Sequence, residues 1–233
     1  MIQVARFESH SFVSDLLGSS STVVDLGMNK GAFAAQVIAA FGCRVVGLEP
    51  EPSLYASLQG RAGITVEPAA IAARDGTTEL NVFATQCASI VGSVVEAAIR
   101  RVEVPATTFE SFLRRHRITS IDLLKVDIEG AEFDLFDSTS DAVLQSIAQI
   151  TVEFHDFIDP TQLPSVRRVH ARLAALGFQR INFTHTNSDV MYVNRVVRQL
   201  THLERAYIVS RFKYLTAARR IIGRWLGEEK SCS

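Results

Sequence analysis

The chain has 233 residues, of which 47% are hydrophobic and 21% charged, a composition that excludes wholesale disorder and suits one α/β domain with a short appendage. The formal net charge of -1 argues against a generally basic nucleic-acid-binding protein. The charge is unevenly distributed, because residues 195–233 hold nine basic and three acidic residues, whereas residues 1–194 hold 15 basic and 22 acidic ones. We therefore predict an acidic domain over residues 1–194 and a basic helical extension over residues 195–233.

Short apolar runs alternate along the chain with segments of helical periodicity. The predicted strands are residues 22–26, 44–48, 64–67, 78–83, 102–104, 121–126, 147–154, 178–183 and 190–193. The predicted helices are residues 32–41, 52–58, 109–115 and 166–176, followed by one or two basic helices after Arg195. Alternating strands and helices that end in a β-hairpin predict a doubly wound, mostly parallel sheet, with ligands at the carboxyl edge of its strands.

The cysteines and the apolar runs indicate the cellular compartment of the protein. Cys43, Cys87 and Cys232 have no CxxC or Cys/His spacing, so we expect no structural zinc site and a reducing environment. The first 17 residues lack the apolar core of a signal peptide, and no apolar run approaches the ~20 residues that span a bilayer. These features predict a cytoplasmic protein.

The segment DLGMNKG, from Asp25 to Gly31, lies directly between a predicted strand and a predicted helix. Its glycines let the backbone approach a ligand closely, and the helix behind it offers unpaired N–H groups. A nicotinamide dinucleotide site would show GxGxxG, but Asn29 and Lys30 stand where that fingerprint needs an open backbone. The carboxylate of Asp25 opposes a pyrophosphate and suits the cationic amino-acid end of S-adenosylmethionine. A glycine turn without a ligand is the structural alternative.

Carboxylates also follow three later strands. Glu49 ends the second strand, 24 residues after Asp25, where a carboxylate can accept both ribose hydroxyls of a nucleoside, in S-adenosylmethionine as in NAD. The block LKVDIEGAE crowds three carboxylates at the end of an apolar strand, an arrangement that is costly unless a cation, a base or a substrate offsets it. In the next strand, alternation places Glu153 and His155 on one face, beside Asp127 and Glu129. The alternative for these acids is a solvated surface or a helix N-terminus.

These segments together resemble the FkbM family of S-adenosylmethionine-dependent methyltransferases over about residues 22–194. The resemblance rests on VVDLGMNKGAF, VVGLEPEP, VEPAAIAARDGTTEL, IDLLKVDIEGAEFDLF and ITVEFH. It implies the class I methyltransferase fold, a Rossmann-like sheet of seven strands with an antiparallel last strand. It also implies O-methylation of hydroxyl groups, commonly on sugars or polyketide-like metabolites.

The resemblance further implies where S-adenosylmethionine binds. The glycine loop would face its methionine part, Glu49 its ribose and Ala70 its adenine, while Asp127 would lie near the sulfonium and the acceptor. The predicted cofactor-binding residues are Asp25, Gly27, Asn29, Gly31, Glu49, Pro50, Ala70 and Asp127.

Two versions of the chemistry follow from the predicted catalytic residues His155, Glu129 and Glu153. In the first, His155 is the base that takes the acceptor's hydroxyl proton, and the two glutamates orient it or bind substrate hydroxyls. In the second, Mg²⁺ is held by Asp127, Glu153 and either His155 or Asp156, because carboxylate oxygens suit this cation.

The acidic strand edge suits a polyhydroxylated acceptor, so we expect a carbohydrate or glycosylated metabolite and no nucleic acid. Ser89 and Arg100 or Arg101, between the third and fourth parallel strands, are candidates for acceptor contact. The alternatives are a nicotinamide-dependent oxidoreductase and a non-catalytic cofactor-binding partner subunit. The basic extension would pack on the domain or on the second subunit of a homodimer, or meet an anionic membrane or a charged substrate.

Overall fold

A computed structural model of the chain describes residues 2–82, 100–156, 159–184 and 186–211. A last helix begins at residue 202 and is described to residue 211. No helix within these ranges is long and apolar enough to cross a membrane. The named strands and helices, in chain order, are β1 (Val4–Phe7), β2 (His10–Val13), β3 (Thr22–Leu26), α1 (Ala32–Phe41), β4 (Arg44–Leu48), α2 (Pro52–Leu58), β5 (Ile64–Glu67), β6 (Ala70–Ile71), β7 (Gly76–Val82), β8 (Arg100–Thr107), α3 (Phe109–Arg115), β9 (Leu123–Val126), α4 (Glu132–Ser138), α5 (Asp141–Gln145), β10 (Gln149–Val152), α6 (Leu163–Ala175), β11 (Phe178–Asn182) and β12 (Val190–Asn194).

Seven strands form the central sheet in the order β11–β12–β10–β9–β3–β4–β5. Neighbouring strands from β10 to β5 are parallel, whereas β12 is antiparallel to both β10 and β11. The prediction of a doubly wound seven-stranded sheet with an antiparallel last strand is thus confirmed. Every residue of β9 and β10 is buried, including Lys125 and Gln149, because packing covers both faces of these central strands.

The two faces of the sheet carry separate parts of the core, because successive side chains of a strand point to opposite faces. Val24 and Leu124 belong to the cluster that also takes apolar residues of α3, α4 and α6. Val23 and Leu123 belong to the other cluster, which contains residues of α1 and Phe12 of β2. All five side chains have at most 1% of their surface exposed.

The helix ends follow the sequence signals. Gly42 closes α1 in the left-handed conformation, with φ of 68°, and its N–H donates to Ile38 O. Pro52 opens α2, where the Glu51 carboxylate caps the helix by accepting from Leu54 N at 2.8 Å. The predicted bounds of α1, α2 and α3 are confirmed to the residue, whereas α6 begins three residues earlier than predicted.

The predicted strand at residues 102–104 lies within β8, and residues 78–82 of the predicted strand 78–83 lie within β7, whereas residue 83 is outside the described residues. Both strands belong to a separate three-stranded sheet with β6. Ser89 and the side chain of Arg100 lie outside the described residues. Arg101 is 73% exposed in β8 and lies 3.9 Å from Glu79, its ion-pair partner on β7. The structure therefore gives Arg101 a place on the small sheet and no contact with the predicted site.

A hairpin of β1 and β2, which the sequence did not predict, packs beside the central sheet. The buried amide of Gln149 on β10 accepts from Val13 N at 2.8 Å and donates to Val13 O at 3.1 Å. The buried carboxylate of Asp189 accepts from the N–H and the hydroxyl of Ser11 at 3.0 and 2.7 Å. These side chains fix the hairpin, and with it His10 at the first position of β2.

The beginning of the basic extension packs on the same region. Leu200 and Ile208 are 3% and 1% exposed and lie in a cluster with Ile2, Val13 and Ile181. The predicted helical character is confirmed for residues 202–211. Residues 212–233 lie outside the described ranges, and the domain boundary at residue 194 stays a prediction.

Candidate active site

The loops after β3, β4, β9 and β10 meet at one edge of the sheet, because these four strands are adjacent and parallel. This edge brings together the predicted residues Glu49, Asp127, Glu129, Glu153 and His155. The candidate active site is therefore acidic, as the sequence predicted.

Lys125 of β9 lies beneath this edge and is only 4% exposed. Its Nζ lies 3.1 Å from Asp25 Oδ1 and 3.6 Å from Asp127 Oδ2, and it donates to Gly27 O at 2.6 Å. The register of the parallel strands places Asp25 directly opposite Lys125. One ammonium group thus ties together the end of β3, the glycine loop and the end of β9.

The charges of Lys125 and its neighbouring carboxylates determine the protonation states of Lys125 and Asp127. Burial by itself lowers the pKa of Lys125, but the carboxylates of Asp25 and Asp127 outweigh burial and hold that pKa above its ordinary value. Burial by itself raises the pKa of Asp127, but Lys125 and His10 lower it well below its usual range. Lys125 and Asp127 therefore face each other as a charged pair across the pH range of ordinary assays.

Sequence reasoning assigned Lys125 no role, although the signal was visible. A lysine within an apolar strand, two residues before an acidic strand end, is expected to pair with a buried carboxylate. Asp25 itself has no exposed surface. It therefore faces Lys125 and supports the loop from below, rather than presenting a surface to a ligand.

The glycine loop after β3 packs tightly on its neighbours. Gly27 has φ of 79°, and a Cβ at this position would lie 1.9 Å from the backbone oxygen of Asp127. Gly31 has φ of 77°, and a Cβ there would lie 2.5 Å from a methyl group of Leu58. A side chain at either glycine would displace the loop, so these two residues set the position of the backbone that a ligand would meet.

Glu49 links the two loops that were predicted to hold the cofactor. Its carboxylate oxygens accept from Asn29 N at 2.6 Å and from Glu51 N at 2.9 Å, and the residue is 5% exposed. Burial raises the pKa of Glu49, which these backbone hydrogen bonds oppose. Each carboxylate oxygen can accept a further hydrogen bond, so Glu49 retains the capacity to bind hydroxyl groups.

The remaining predicted cofactor residues occupy the surroundings of Glu49. Asn29 is exposed in the glycine loop with φ of 51°, and Pro50 directly follows Glu49. Ala70 begins β6, three residues beyond the end of β5, and pairs with Ala106 of the small sheet. Asn29 and Pro50 thus lie in the loops after β3 and β4 at the carboxyl edge of the central sheet, whereas Ala70 belongs to the small sheet.

His10, which the sequence analysis missed, enters the site from the N-terminal hairpin. Its Nε2 lies 3.4 Å from Asp127 Oδ2, its ring is 1% exposed, and it meets Phe33 edge to face at 5.7 Å. Next to it, Ser9 Oγ donates to Glu153 Oε2 at 3.1 Å. No local pattern identifies His10, because only tertiary packing of the hairpin brings it to the site.

His155 lies between two glutamates of the loop after β9. Its Nε2 is 3.4 Å from Glu129 Oε2, and its Nδ1 is 3.4 Å from Glu132 Oε1. Burial by itself lowers the pKa of His155, but the bond to Glu132 and the charges of Glu132 and Glu129 raise it to about 9. The imidazole is therefore protonated at neutral pH. Glu132 is 1% exposed and also accepts from Gly130 N at 3.0 Å, so it orders this loop.

The structure groups the candidate metal ligands differently from the sequence prediction. Among the described residues, two sets have ligand atoms within 4.8 Å of one another: His10, Asp127 and Glu153, and separately Asp127, Glu129 and His155. Asp127 belongs to both sets, whereas Glu153 and His155 fall in different ones. Asp156, the predicted alternative ligand, is 8% exposed and accepts from Asn187 Nδ2 at 2.8 Å, in neither set.

Comparison with known proteins identifies the family of this site. Residues 25–180 match the family model described as "Methyltransferase FkbM domain". The match begins at Asp25 and includes every predicted site residue. No curated protein sequence matches the chain.

Solved structures similar to the chain include three methyltransferases. A precorrin-6y C5,15-methyltransferase from Geobacter metallireducens is 10% identical, with a TM-score of 0.40 over 76% of this chain and 80% of that chain. An rRNA methylase from Streptococcus thermophilus is 12% identical, with a TM-score of 0.43 over 77% of this chain and 90% of that one. A magnesium protoporphyrin IX methyltransferase from Synechocystis is 12% identical, with a TM-score of 0.39 over 77% and 72%.

We predict that Lys125→Met lowers the free energy of unfolding by about 3 kcal/mol, because it leaves the buried carboxylate of Asp25 and the partly buried carboxylate of Asp127 without their cation. Urea denaturation would measure this loss. Lys30→Met, which removes an exposed lysine from the adjacent loop, is the control and should change stability by less than about 0.5 kcal/mol. The double variant Asp25→Asn/Lys125→Met should recover part of the loss. Equal effects of Lys125→Met and Lys30→Met would contradict the structural role.

Proposed function

The chain belongs to the FkbM family of S-adenosylmethionine-dependent methyltransferases, and on this basis we propose that it methylates a hydroxyl group of a carbohydrate-like small molecule. One observation carries the proposal: carboxylates from the three loops after β4, β9 and β10 converge at a single sheet edge beside a tightly packed glycine loop. A cationic methyl donor and a polyhydroxylated acceptor both suit such an edge. The family match argues against the nicotinamide-dependent alternative.

The residues at this edge fit S-adenosylmethionine. Glu49 has hydrogen-bonding capacity left for the ribose hydroxyls, and the close packing of Gly27 and Gly31 presents backbone to the methionine part. We assign Asp25 an indirect role, in which it holds the glycine loop through Lys125. Asp127 would lie nearest the sulfonium, where its low pKa keeps it charged.

S-adenosylmethionine, if held at this edge, would supply the methyl group from its sulfonium to the acceptor oxygen and leave as S-adenosylhomocysteine. The protein must orient the acceptor and take its hydroxyl proton. We assign the proton to His155, whose side chain is 11% exposed, in preference to His10, whose side chain is 1% exposed. Glu129 orients the imidazole of His155. Glu153, which follows β10 as His155 does, binds substrate hydroxyls.

The set of His10, Asp127 and Glu153 also fits a divalent cation, because it offers an imidazole nitrogen and carboxylate oxygens within 4.8 Å of one another. We propose Mg²⁺ as its occupant, with His10 in place of the originally predicted His155. Bound there, Mg²⁺ would lower the pKa of an acceptor hydroxyl.

We expect S-adenosylmethionine and S-adenosylhomocysteine, but not NAD, to raise the midpoint of thermal unfolding, because only a ligand of the folded state does so. Glu49→Ala should weaken S-adenosylmethionine binding by roughly ten- to a hundredfold through the loss of charged hydrogen bonds. Glu79→Ala, 71% exposed on the small sheet, is the control and should bind as the wild type does. A midpoint shift with NAD alone would contradict the proposed cofactor.

A methyl-transfer screen with sugars and glycolipid precursors, read by mass spectrometry, tests the acceptor. We expect a product that is one methyl group heavier, formed from a hydroxyl-bearing carbohydrate. Cofactor binding without transfer to any hydroxyl acceptor would instead favour the non-catalytic partner subunit.

The pH dependence tests His155 as the base. Since its pKa is about 9, we expect kcat/KM to rise about tenfold for each pH unit below 9 and then to level off, because the base acts only when deprotonated. His155→Gln should abolish this rise and lower the rate by about 10²- to 10⁴-fold. A wild-type profile that is flat between pH 6 and 8 would contradict the assignment.

Removal of metal tests the cation site. We expect excess chelator to lower kcat by about tenfold or more and added Mg²⁺ to restore it, with His10→Asn raising the Mg²⁺ concentration that is required. His202→Asn, an exposed histidine outside the site, is the matched control. Full activity in excess chelator would reject the metal and leave the His155 mechanism intact.

A further inference from the structure

The first residues of the basic extension form a surface that the proposed methyl transfer does not use. Among the residues that the structure describes, the large apolar side chains that are exposed all lie between residues 196 and 207. They are Val196 at 92%, Val197 at 51%, Leu203 at 83% and Tyr207 at 36%. Apolar side chains concentrated in one exposed segment indicate an interaction surface.

Cations surround these apolar side chains. Residues 195–211 contain four arginines and a single acid, Glu204. That acid is already engaged, because its carboxylate contacts Arg198 at 2.6 Å and accepts from Thr201 N at 2.9 Å as part of the helix cap. The segment therefore keeps a net positive charge, because Glu204 offsets only Arg198 among its four arginines.

A groove of about 850 Å³ adjoins the segment, between α6, the edge strand β11 and the last helix. None of the described residues that line it is acidic. Its lining includes the cationic side chains of Arg180, Arg195 and Arg205.

This surface lies away from the candidate active site. β12 runs antiparallel to β10, so Asn194 lies at the amino edge of the parallel strands, where its N–H donates to Ala148 O. Val196 and Val197 follow directly from that edge. The catalytic residues Glu153 and His155 follow the carboxyl end of β10, so a partner bound at Val196 leaves them accessible.

We propose that residues 195–211, the docking segment, bind the surface of an anionic phospholipid membrane. The apolar side chains enter the interface, while the arginines and the groove meet lipid phosphates. A second copy of the chain fits less well, because a symmetric contact through this segment would bring eight arginines together against two acids.

The test is sedimentation of the full chain with vesicles of phosphatidylcholine alone or with about a third phosphatidylglycerol. We expect binding to the anionic vesicles only. Arg195→Gln/Arg205→Gln should weaken the partition coefficient roughly 25-fold, since each basic side chain near an anionic surface contributes about fivefold. Arg74→Gln/Arg101→Gln, which removes two exposed arginines at the small sheet, is the charge-matched control and should bind as the wild type does.

Val196→Ser/Leu203→Ser provides a second test that does not disturb the core, because both side chains are more than four-fifths exposed. We expect an about tenfold loss of vesicle binding, with methyl transfer to a soluble acceptor unchanged. The proposal is overturned by equal binding to neutral vesicles, by wild-type binding of both double variants within the docking segment, or by no vesicle binding at all. A dimer that Val196→Ser/Leu203→Ser dissociates, without vesicle binding, would also overturn it and identify a second copy as the partner.

Discussion

The buried ammonium group of Lys125 holds the candidate active site together. Parallel pairing sets β3 and β9 side by side, so Asp25 and Asp127 carry negative charge into adjacent positions at their carboxyl ends. Lys125 offsets this charge from below and at the same time binds the carbonyl oxygen of Gly27. The base of the site is therefore held together by ion pairs within the sheet. These contacts of Lys125 also fix the position of the loops after β3 and β9.

The sequence predicted the central fold because its signals are local. β3, β4 and α1 are bounded by glycines and by changes of periodicity, and they were assigned to the residue. The acidic strand ends were also predicted, because parallel strands bring their carboxyl ends to one edge. The roles of individual acids were less accessible: burial of Asp25, and the division of Glu153 and His155 between two clusters, depend on distances that spacing does not give.

The N-terminal hairpin shows the same limit. Its strands, VARF and HSFV, form neither a continuous apolar run nor a strict alternation, and its anchors lie far away in the sequence. His10 reaches the site only because Gln149 and Asp189 hold β2 against β10 and β12. The uneven charge of the sequence, by contrast, corresponds to a separation in space. The acidic residues of the candidate site lie at the carboxyl edge of the sheet, whereas the basic segment begins at its amino edge.

The attachment of the hairpin also bears on the order in which the protein is completed during synthesis. Residues 10–13 leave the ribosome first, yet the side chains that bind Val13 and Ser11 follow 136 and 178 residues later. Until Asp189 has emerged, the hairpin has only the contact of Gln149 with Val13, and Ser11, next to His10, lacks its buried partner. The contacts that attach the hairpin are thus long-range ones, of the kind that forms slowly. An incomplete nascent chain consequently holds the acidic strand ends but not the finished site.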